Sequence, residues 1–432
     1  MRNRRSDIAL IIFCLLILSA FAVFALLSDT ADISVQENRE LSHFPRISAK
    51  ALMSGEFFGE LSAFVNDRFP LRQKLIEANA AVSLALGQKE SNGVFLTEGA
   101  GLVAKGEYDS LEIAKNNIKA IKDFEQSYQN VTVLALPRSC DVNGSALPPL
   151  YDTARSQELT KLIDLEFSEH SRLKNSVLEA LKATERPFYS TDHHWTAEGV
   201  FSAYRVIASA LGATPQSEAY FTRETVTEDF LGTLSSKSAL TFISPDSISL
   251  YRYDGDNRYI VINHETEEIS SSFYNYEALE EKDKYRIFFG GNFSFLSIID
   301  GESTKKPKLL LIKDSFANSL VPLLAIHFDI DVIDPRYCAK PVNELVKLSK
   351  YDKILFLFGA DTIATTPMDK KIKPYEKALF FYLTIKSGNR FMVRSPTKAI
   401  DTPIISRGLI FSPKNTADIT VDKTKPAPCV KG

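Results

Sequence analysis

The sequence predicts an α/β protein built on a parallel sheet, and three observations carry that expectation. The first is an alternation late in the chain: strand Lys308–Ile312, a helix from Ser315 to about Ala325, strand Asp331–Ile333, a helix near Val342–Leu348, and strand Ile354–Phe358. Strands separated by helices pair in parallel, because each helix returns the chain to start the next strand in the same direction. The second is Val131–Leu136, a continuous apolar run halted by Pro137, which reads as a strand buried on both faces. The third is bulk composition. Across 432 residues, 44% are hydrophobic and 24% charged, enough for one large core or for two domains. A net charge of −3 gives no electrostatic reason to expect nucleic acid as a partner.

The first thirty residues differ from the rest. Met1-Arg2-Asn3-Arg4-Arg5 is basic, and Ile8 to Leu27 then runs without a charge. At about 1.5 Å per residue, a helix over this run roughly matches the ~30 Å hydrocarbon core of a bilayer. The basic cluster favours a cytoplasmic N-terminus with the remainder outside. A cleaved signal peptide is the rival reading, but its apolar region is typically ~7–15 residues. The expectation is therefore an uncleaved anchor over residues 1–28. Of the cysteines, Cys14 lies inside this run, and Cys140, Cys338 and Cys429 follow it. Three thiols cannot all pair internally, and their spacing assigns no bridge.

Between anchor and sheet, Phe57, Phe58, Leu61 and Phe64 are spaced as a buried helical stripe. Asn66-Asp67-Arg68-Phe69-Pro70-Leu71-Arg72 interrupts it, and a second helix follows over Gln73–Leu86. Asp109-Ser110 caps a helix over Leu111–Tyr128, and another helical pattern fills Ser156–Lys182. Thr196 caps a helix running to about Leu211. Residues 215–300 are less regular: Ser249–Tyr253 and Tyr259–Ile262 read as short antiparallel strands joined by the Asp254–Asn257 turn as a hairpin. Arg286–Phe289 ends in Gly290-Gly291-Asn292, where glycine permits a tight turn. Beyond Asp361, short strands are expected at Leu379–Ile385, Arg390–Val393 and Gly408–Phe411, with no role assigned.

Chemistry concentrates in Thr191-Asp192-His193-His194-Trp195-Thr196, which holds two of six histidines and the sole tryptophan. In an extended backbone, side chains at i and i+2 point the same way. Asp192 then reaches the His194 ring while His193 faces away, at a strand-to-helix turn. A carboxylate that orients an imidazole is two thirds of a nucleophilic triad. Ser315 offers the third part, because it follows a buried strand and opens a helix whose N–H groups and dipole favour a nearby anion. Asp-Ser at such a junction is also ordinary N-capping, and paired histidines also suit packing or a metal. No His-x-x-x-His or Cys-x-x-Cys spacing supplies further ligands, so no metal is expected. No phosphate loop or dinucleotide fingerprint is present either, and no cofactor is expected.

Taken together, Asp192-His193-His194-Trp195, Gly290-Gly291-Asn292-Phe293, Lys313-Asp314-Ser315-Phe316-Ala317-Asn318-Ser319 and Asp334-Pro335-Arg336-Tyr337 resemble the bacterial DHHW protein family. That family is related to the alginate O-acetylation proteins, with SGNH-hydrolase-like domains. Glu37-Asn38-Arg39 and Asn66–Pro70 look similar too, so the likeness covers about residues 37 to 360. The resemblance implies an SGNH-hydrolase-like three-layer α/β/α catalytic domain over 29–361. A β-rich insertion would occupy about 215–285, and 362–432 would form an extension. It implies a membrane-anchored, extracytoplasmic O-acetyltransferase acting on a cell-surface or secreted polysaccharide through a Ser-His-Asp triad. Ser315 would be the nucleophile, His194 the base and then acid, and Asp192 the group holding its tautomer. The Ser315 amide would contribute to the oxyanion hole, with Asn292 or the Gly291 amide as second donor. Arg336 and Asn318 are candidate substrate contacts, each with a structural alternative, and His193 and Trp195 read as scaffold. A membrane-bound O-acyltransferase would supply acetyl groups. Two departures stand out: Lys313 replaces the glycine of the Gly-Asp-Ser block, and the Asp/His block precedes the serine. The competing expectations are a carbohydrate acetyl esterase and a non-catalytic glycan-binding envelope protein.

Overall fold

The computed structural model describes residues 4–27, 33–34, 39–97, 99, 101–106, 108–142, 147, 154–240, 242–302 and 306–373. Helix α1 spans Arg4–Leu27. Its side chains are described continuously only over Ile8–Leu16, roughly 14 Å of helix. Over the described residues, no helix is long and apolar enough to cross a membrane. The expected anchor is therefore not carried by the structure.

A two-residue ladder, β1 (Ile33–Ser34) with β2 (Arg39–Glu40), precedes three helices: α2 (Ala49–Ser54), α3 (Glu56–Asp67) and α4 (Arg72–Ala85). The break at Asn66–Arg72 falls where the sequence places it, with Leu71 in the left-handed region at φ 57°. The expected stripe on α3 is mostly not a core: Phe64 is buried, but Phe58 is 61% exposed. The chain then forms an antiparallel sheet of β3 (Glu90–Ser91), β4 (Val94–Leu96) and β5 (Leu102–Ala104). These strands are too short to show a period in the sequence.

The central layer uses later elements. In chain order these are α5 (Glu112–Ser127), β6 (Val131–Leu136), α6 (Ser139–Val142), α7 (Ala154–Glu166), α8 (Ser171–Lys182) and α9 (Ala197–Ala210). Then come β7 (Thr222–Phe230), α10 (Thr233–Ser238), β8 (Asp246–Arg252), β9 (Tyr259–Asn263), β10 (Ile269–Ser270) and β11 (Phe295–Asp300). Last are β12 (Lys308–Lys313), α11 (Val321–Leu324), β13 (Asp329–Ile333), α12 (Val342–Leu345), β14 (Lys353–Gly359), α13 (Ala360–Thr365) and α14 (Asp369–Ile372).

Seven strands form one sheet in the order β10-β9-β11-β13-β12-β14-β6. Strands β13, β12, β14 and β6 are mutually parallel, as the alternation requires. Strands β11, β9 and β10 extend the sheet antiparallel on one side, so it is mixed and not wholly parallel. The expected hairpin is corrected here. Strand β9 pairs with β10 and β11, whereas β8 pairs with β7 in a separate ribbon, so the Asp254–Asn257 turn links two sheets.

Because side chains alternate along a strand, each central strand feeds two cores. Leu309, Leu311, Leu355 and Leu357 join α8, α9 and α11 on one face. Leu310, Ile312, Ile354, Phe356 and Phe358 join α5, α7, α13 and α14 on the other. The result is three layers, helices over both faces of a mixed sheet. Past residue 361, Met368 and Ile372, at 0% and 1% exposure, pack in the second of these cores. The strands expected at Leu379–Ile385, Arg390–Val393 and Gly408–Phe411 lie outside the described residues.

Candidate active site

The segment from Pro187 to Trp195 is a closed loop. A single bridge pairs Phe188 with Trp195, and the Tyr189 N–H donates to the His194 carbonyl at 3.1 Å. Asp246, 2% exposed, accepts from the Ser190 N–H (3.0 Å), the Thr191 N–H (2.7 Å) and the Thr191 hydroxyl (2.7 Å). Those amides are spent on a carboxylate and not on a neighbouring strand, which is why the expected strand-to-helix turn is a loop. Thr196 accepts from the Gly199 N–H at 3.1 Å and caps α9 as predicted.

Within the loop, Asp192 Oδ1 accepts from both the backbone N–H (2.9 Å) and Nδ1–H (2.5 Å) of His194. The predicted i, i+2 pairing therefore forms, but through a bend in which the carboxylate curls back on the chain. Thr233, at the start of α10, holds the other oxygen through its N–H (2.7 Å) and hydroxyl (2.9 Å). Gly232 permits this approach: a Cβ there would lie 2.3 Å from the Asp192 Cβ. His193 does not simply face away. Its Nδ1 lies 2.7 Å from the Thr233 hydroxyl, and its ring sits 3.9 Å from that of His194.

Ser315 follows β12 and begins a short 3₁₀ turn, Ser315–Ser319, before α11. The turn is much shorter than the helix expected, so any dipole contribution is correspondingly local. Asp314 accepts from the Phe316 N–H (3.1 Å) and the Gly359 N–H (2.8 Å), tying the turn to the end of β14. His194 Nε2 and Ser315 Oγ are 2.8 Å apart. With Nδ1–H donated to Asp192, Nε2 is the acceptor for the serine hydroxyl. The Asp–His–Ser chain is thus continuous.

Two supports had no sequence signal. Tyr285 stacks on His194 with centroids 3.9 Å apart and planes 8° from parallel. Ser319 Oγ accepts from both Tyr285 (3.1 Å) and the Trp195 indole (2.8 Å), joining three separate segments. Trp195 is 1% exposed, in keeping with a scaffold.

The electrostatics follow from burial and these contacts. Burial pushes the Asp192 carboxyl up, but the His193 and His194 rings and the bonds from His194 and Thr233 outweigh it. They hold that carboxyl well below the usual carboxylate range. For His194, burial and the neighbouring His193 outweigh the pull of Asp192, lowering its pKa to about 4. A neutral imidazole at pH 7 is the form that accepts a proton. Ligand atoms of Asp192, His193 and His194 lie within 4.8 Å of one another, but those of Asp192 and His194 already serve the triad.

The remaining sequence-predicted residues are redistributed. The Gly291 N–H donates to the Phe288 carbonyl at 3.2 Å, so that amide is not open to an oxyanion. Asn292 Oδ1 accepts from Lys313 Nζ and from Asn318 Nδ2, each at 3.1 Å. Asn318 is 4% exposed inside this network, and Arg336 is held by Asp334 in a two-pronged pair at 2.9 and 2.7 Å. Both side chains thus have partners within the protein, as the structural alternative expects. Next to Thr233, which holds Asp192, a cavity of about 1360 Å³ is lined by Gly232, Thr233, Asp283 and Arg286 and by Asn66, Phe69, Arg72 and Gln73.

Two solved proteins share this fold. A DHHW family protein from Eubacterium siraeum is 19% identical, with a TM-score of 0.51, over 66% of this chain and 95% of that one. PatB1 of Bacillus cereus is 19% identical, with a TM-score of 0.51, over 64% of this chain and 99% of that one. PatB1 is also known with a sulfonyl adduct, in a structure 17% identical with a TM-score of 0.50. No curated protein matches the sequence. The DHHW protein family model matches residues 169–333, the stretch that runs from the helix before the Asp/His loop through Ser315 to the end of β13.

Proposed function

We propose that this protein is an extracytoplasmic O-acetyltransferase that passes acetyl groups to a polysaccharide through an acetyl-Ser315 intermediate. The observation that carries the reading is the unbroken chain Asp192 Oδ1–His194–Ser315 Oγ, with links of 2.5 and 2.8 Å. In the first half-reaction His194 Nε2 takes the Ser315 proton as Oγ attacks the acetyl carbon, and returns it to the departing donor group. In the second, the same nitrogen takes a proton from an acceptor hydroxyl, which attacks the acetyl-serine and frees Oγ. Asp192 holds the Nδ1–H tautomer throughout. The Ser315 N–H opens its turn and so lacks an acceptor within it, leaving it available to the oxyanion beside the Asn292 amide. The cavity next to Thr233 provides room for a glycan chain.

Membrane placement in this proposal rests on sequence alone, on the basic cluster ahead of the uncharged run to Leu27. A membrane-bound O-acyltransferase would supply acetyl groups on that side. Subcellular fractionation with alkaline extraction tests the placement: release of the full chain into the soluble fraction contradicts it.

The chemical test uses the protein from about residue 30 with 4-nitrophenyl acetate. Mass spectrometry is expected to find an acetyl group on Ser315, and Ser315→Ala is expected to lose on the order of 10⁶ in kcat. By analogy with the PatB1 adduct, a sulfonyl fluoride is expected to label the same oxygen. Turnover by the alanine variant at the parental rate contradicts the triad. With oligosaccharide present, acetyl on the sugar signals transfer, and acetate alone signals an esterase.

A further inference from the structure

Lys313 stands where the Gly-Asp-Ser pattern has glycine, two residues before the nucleophile. Its side chain is 2% exposed, yet it carries an ammonium group. Such a group is retained in a core only where acceptors surround it, and the acceptors here are specific. Nζ donates to Asn318 Oδ1 at 2.7 Å and to Asn292 Oδ1 at 3.1 Å, with Asp334 Oδ2 at 3.5 Å. Asp334 is itself held by Arg336.

These contacts fix the orientation of two carboxamides in sequence. An ammonium group has donors and no acceptor, so the Asn318 atom facing it must be oxygen. Asn318 therefore turns its NH₂ toward Asn292, at 3.1 Å, and the Asn292 atom meeting that NH₂ must also be oxygen. Lys313 donates to the same oxygen. With two donors on Oδ1, the Asn292 NH₂ is turned away from the network. In a 3₁₀ turn, side chains three apart eclipse, so Asn318 lies on the same face of its turn as Ser315. The hydrogen bond from Asn318 joins Asn292 to that turn.

We propose that Lys313 is a positioning residue that locks the Asn292 carboxamide with its NH₂ toward the oxyanion formed at Ser315. This rests on the acetyl-serine reading above. Without Lys313 the Asn318–Asn292 pair loses the charged donor that sets its direction, so both amides can flip together, and the flipped Asn292 presents an oxygen to the developing negative charge. Burial lowers the Lys313 pKa and Asp334 opposes it; the three oxygens facing Nζ favour the ammonium form, which has no lone pair to accept from an NH₂.

The test compares Lys313→Met, Asn292→Ala and the double variant by steady-state kinetics on 4-nitrophenyl acetate. Removing one oxyanion donor costs on the order of 10²–10³ in kcat. Asn292→Ala is expected to lose about that much with KM little changed. Lys313→Met is expected to lose kcat with the same signature, and the double variant to be no worse than Asn292→Ala. Losses that multiply, or parental kcat in Lys313→Met, overturn the proposal. Should Lys313→Met not fold, Asn318→Ala removes one of the two donors holding Asn292 Oδ1 while leaving the lysine. Its loss is again expected in kcat and not additive with Asn292→Ala, and an additive loss overturns the proposal. Ser315→Ala separates the two failures. If it retains turnover the triad reading fails, whereas a dead Ser315→Ala beside a fully active Lys313→Met removes only the role of the lysine.

Discussion

His194 carries a hydrogen bond on each ring nitrogen, whereas His193 Nδ1 meets the Thr233 hydroxyl at 2.7 Å and stands 3.5 Å from Asp192 Oδ1, with no link to Ser315 among the described residues. His194→Ala is therefore expected to lose kcat on an acetyl ester by about as much as Ser315→Ala. His193→Ala should lose less than about tenfold. The reverse order in a side-by-side assay would place the base on the wrong ring. The lowered His194 pKa makes a second prediction. On the proposed mechanism the neutral ring is the active form, and protonation is resisted down to about 4, so kcat/KM should stay level well below the ~6.5 of a free imidazole. It should then fall as pH passes about 4. An acid limb centred at 6 to 7 would mean that the ring is far better solvated than its burial indicates. Much of this site was legible from residue type and spacing: Asp192, His194 and Ser315 were all singled out, and they meet. Thr233, Tyr285 and Ser319 were not, because a threonine opening a helix and a tyrosine in a short turn look the same whether or not a triad lies beside them.

Helix α9 begins under a close constraint. A Cβ on Gly199 would sit 2.0 Å from the Pro187 carbonyl oxygen, which itself accepts from the Thr196 N–H at 3.0 Å. Backbone cannot yield as a flexible side chain does, so Gly199→Ala must push α9 from the loop that carries Asp192 and His194. Overpacking of this kind costs about 1–3 kcal/mol or more. Loss of the Thr196 cap costs about 1. Chemical denaturation should therefore rank Gly199→Ala as more destabilising than Thr196→Ala, and equal stability would show that the loop absorbs the clash. The elements themselves divided by length. Strands β6, β12 and β14 and helices α5 and α9 announced themselves through continuous or periodic apolar residues. The expected hairpin at Asp254–Asn257 failed because alternation locates a strand without naming its partner, and β8 and β9 found partners in different sheets.

For the whole molecule, the C-terminal limit of the fold is the point most readily tested. Met368 and Ile372 are buried in the core that α5 shares with the sheet. Each buried apolar side chain contributes about 1.5–3 kcal/mol. A chain ending at residue 361 should thus lose about 3–6 kcal/mol relative to one ending at 376, while the longer form keeps its ester turnover. Matching unfolding midpoints for the two truncations would move the boundary back. Neither helix was legible beforehand, because α13 and α14 are too short to show a helical period, and lysines crowd the second.

The Asp192–His194 loop and Ser315 arise from segments far apart in the chain, and their connecting bond spans 121 positions. Loop, ribbon and central sheet must each reach their final places before those two atoms come within 2.8 Å. Early contacts along a chain are local, and pairings over long separations close late. On refolding, turnover should accordingly be among the last properties to return, well after helices and strands have formed. A half-assembled copy would hold His194 and Ser315 apart, so on the proposed mechanism it could not yet form an acyl-serine while it waits to finish.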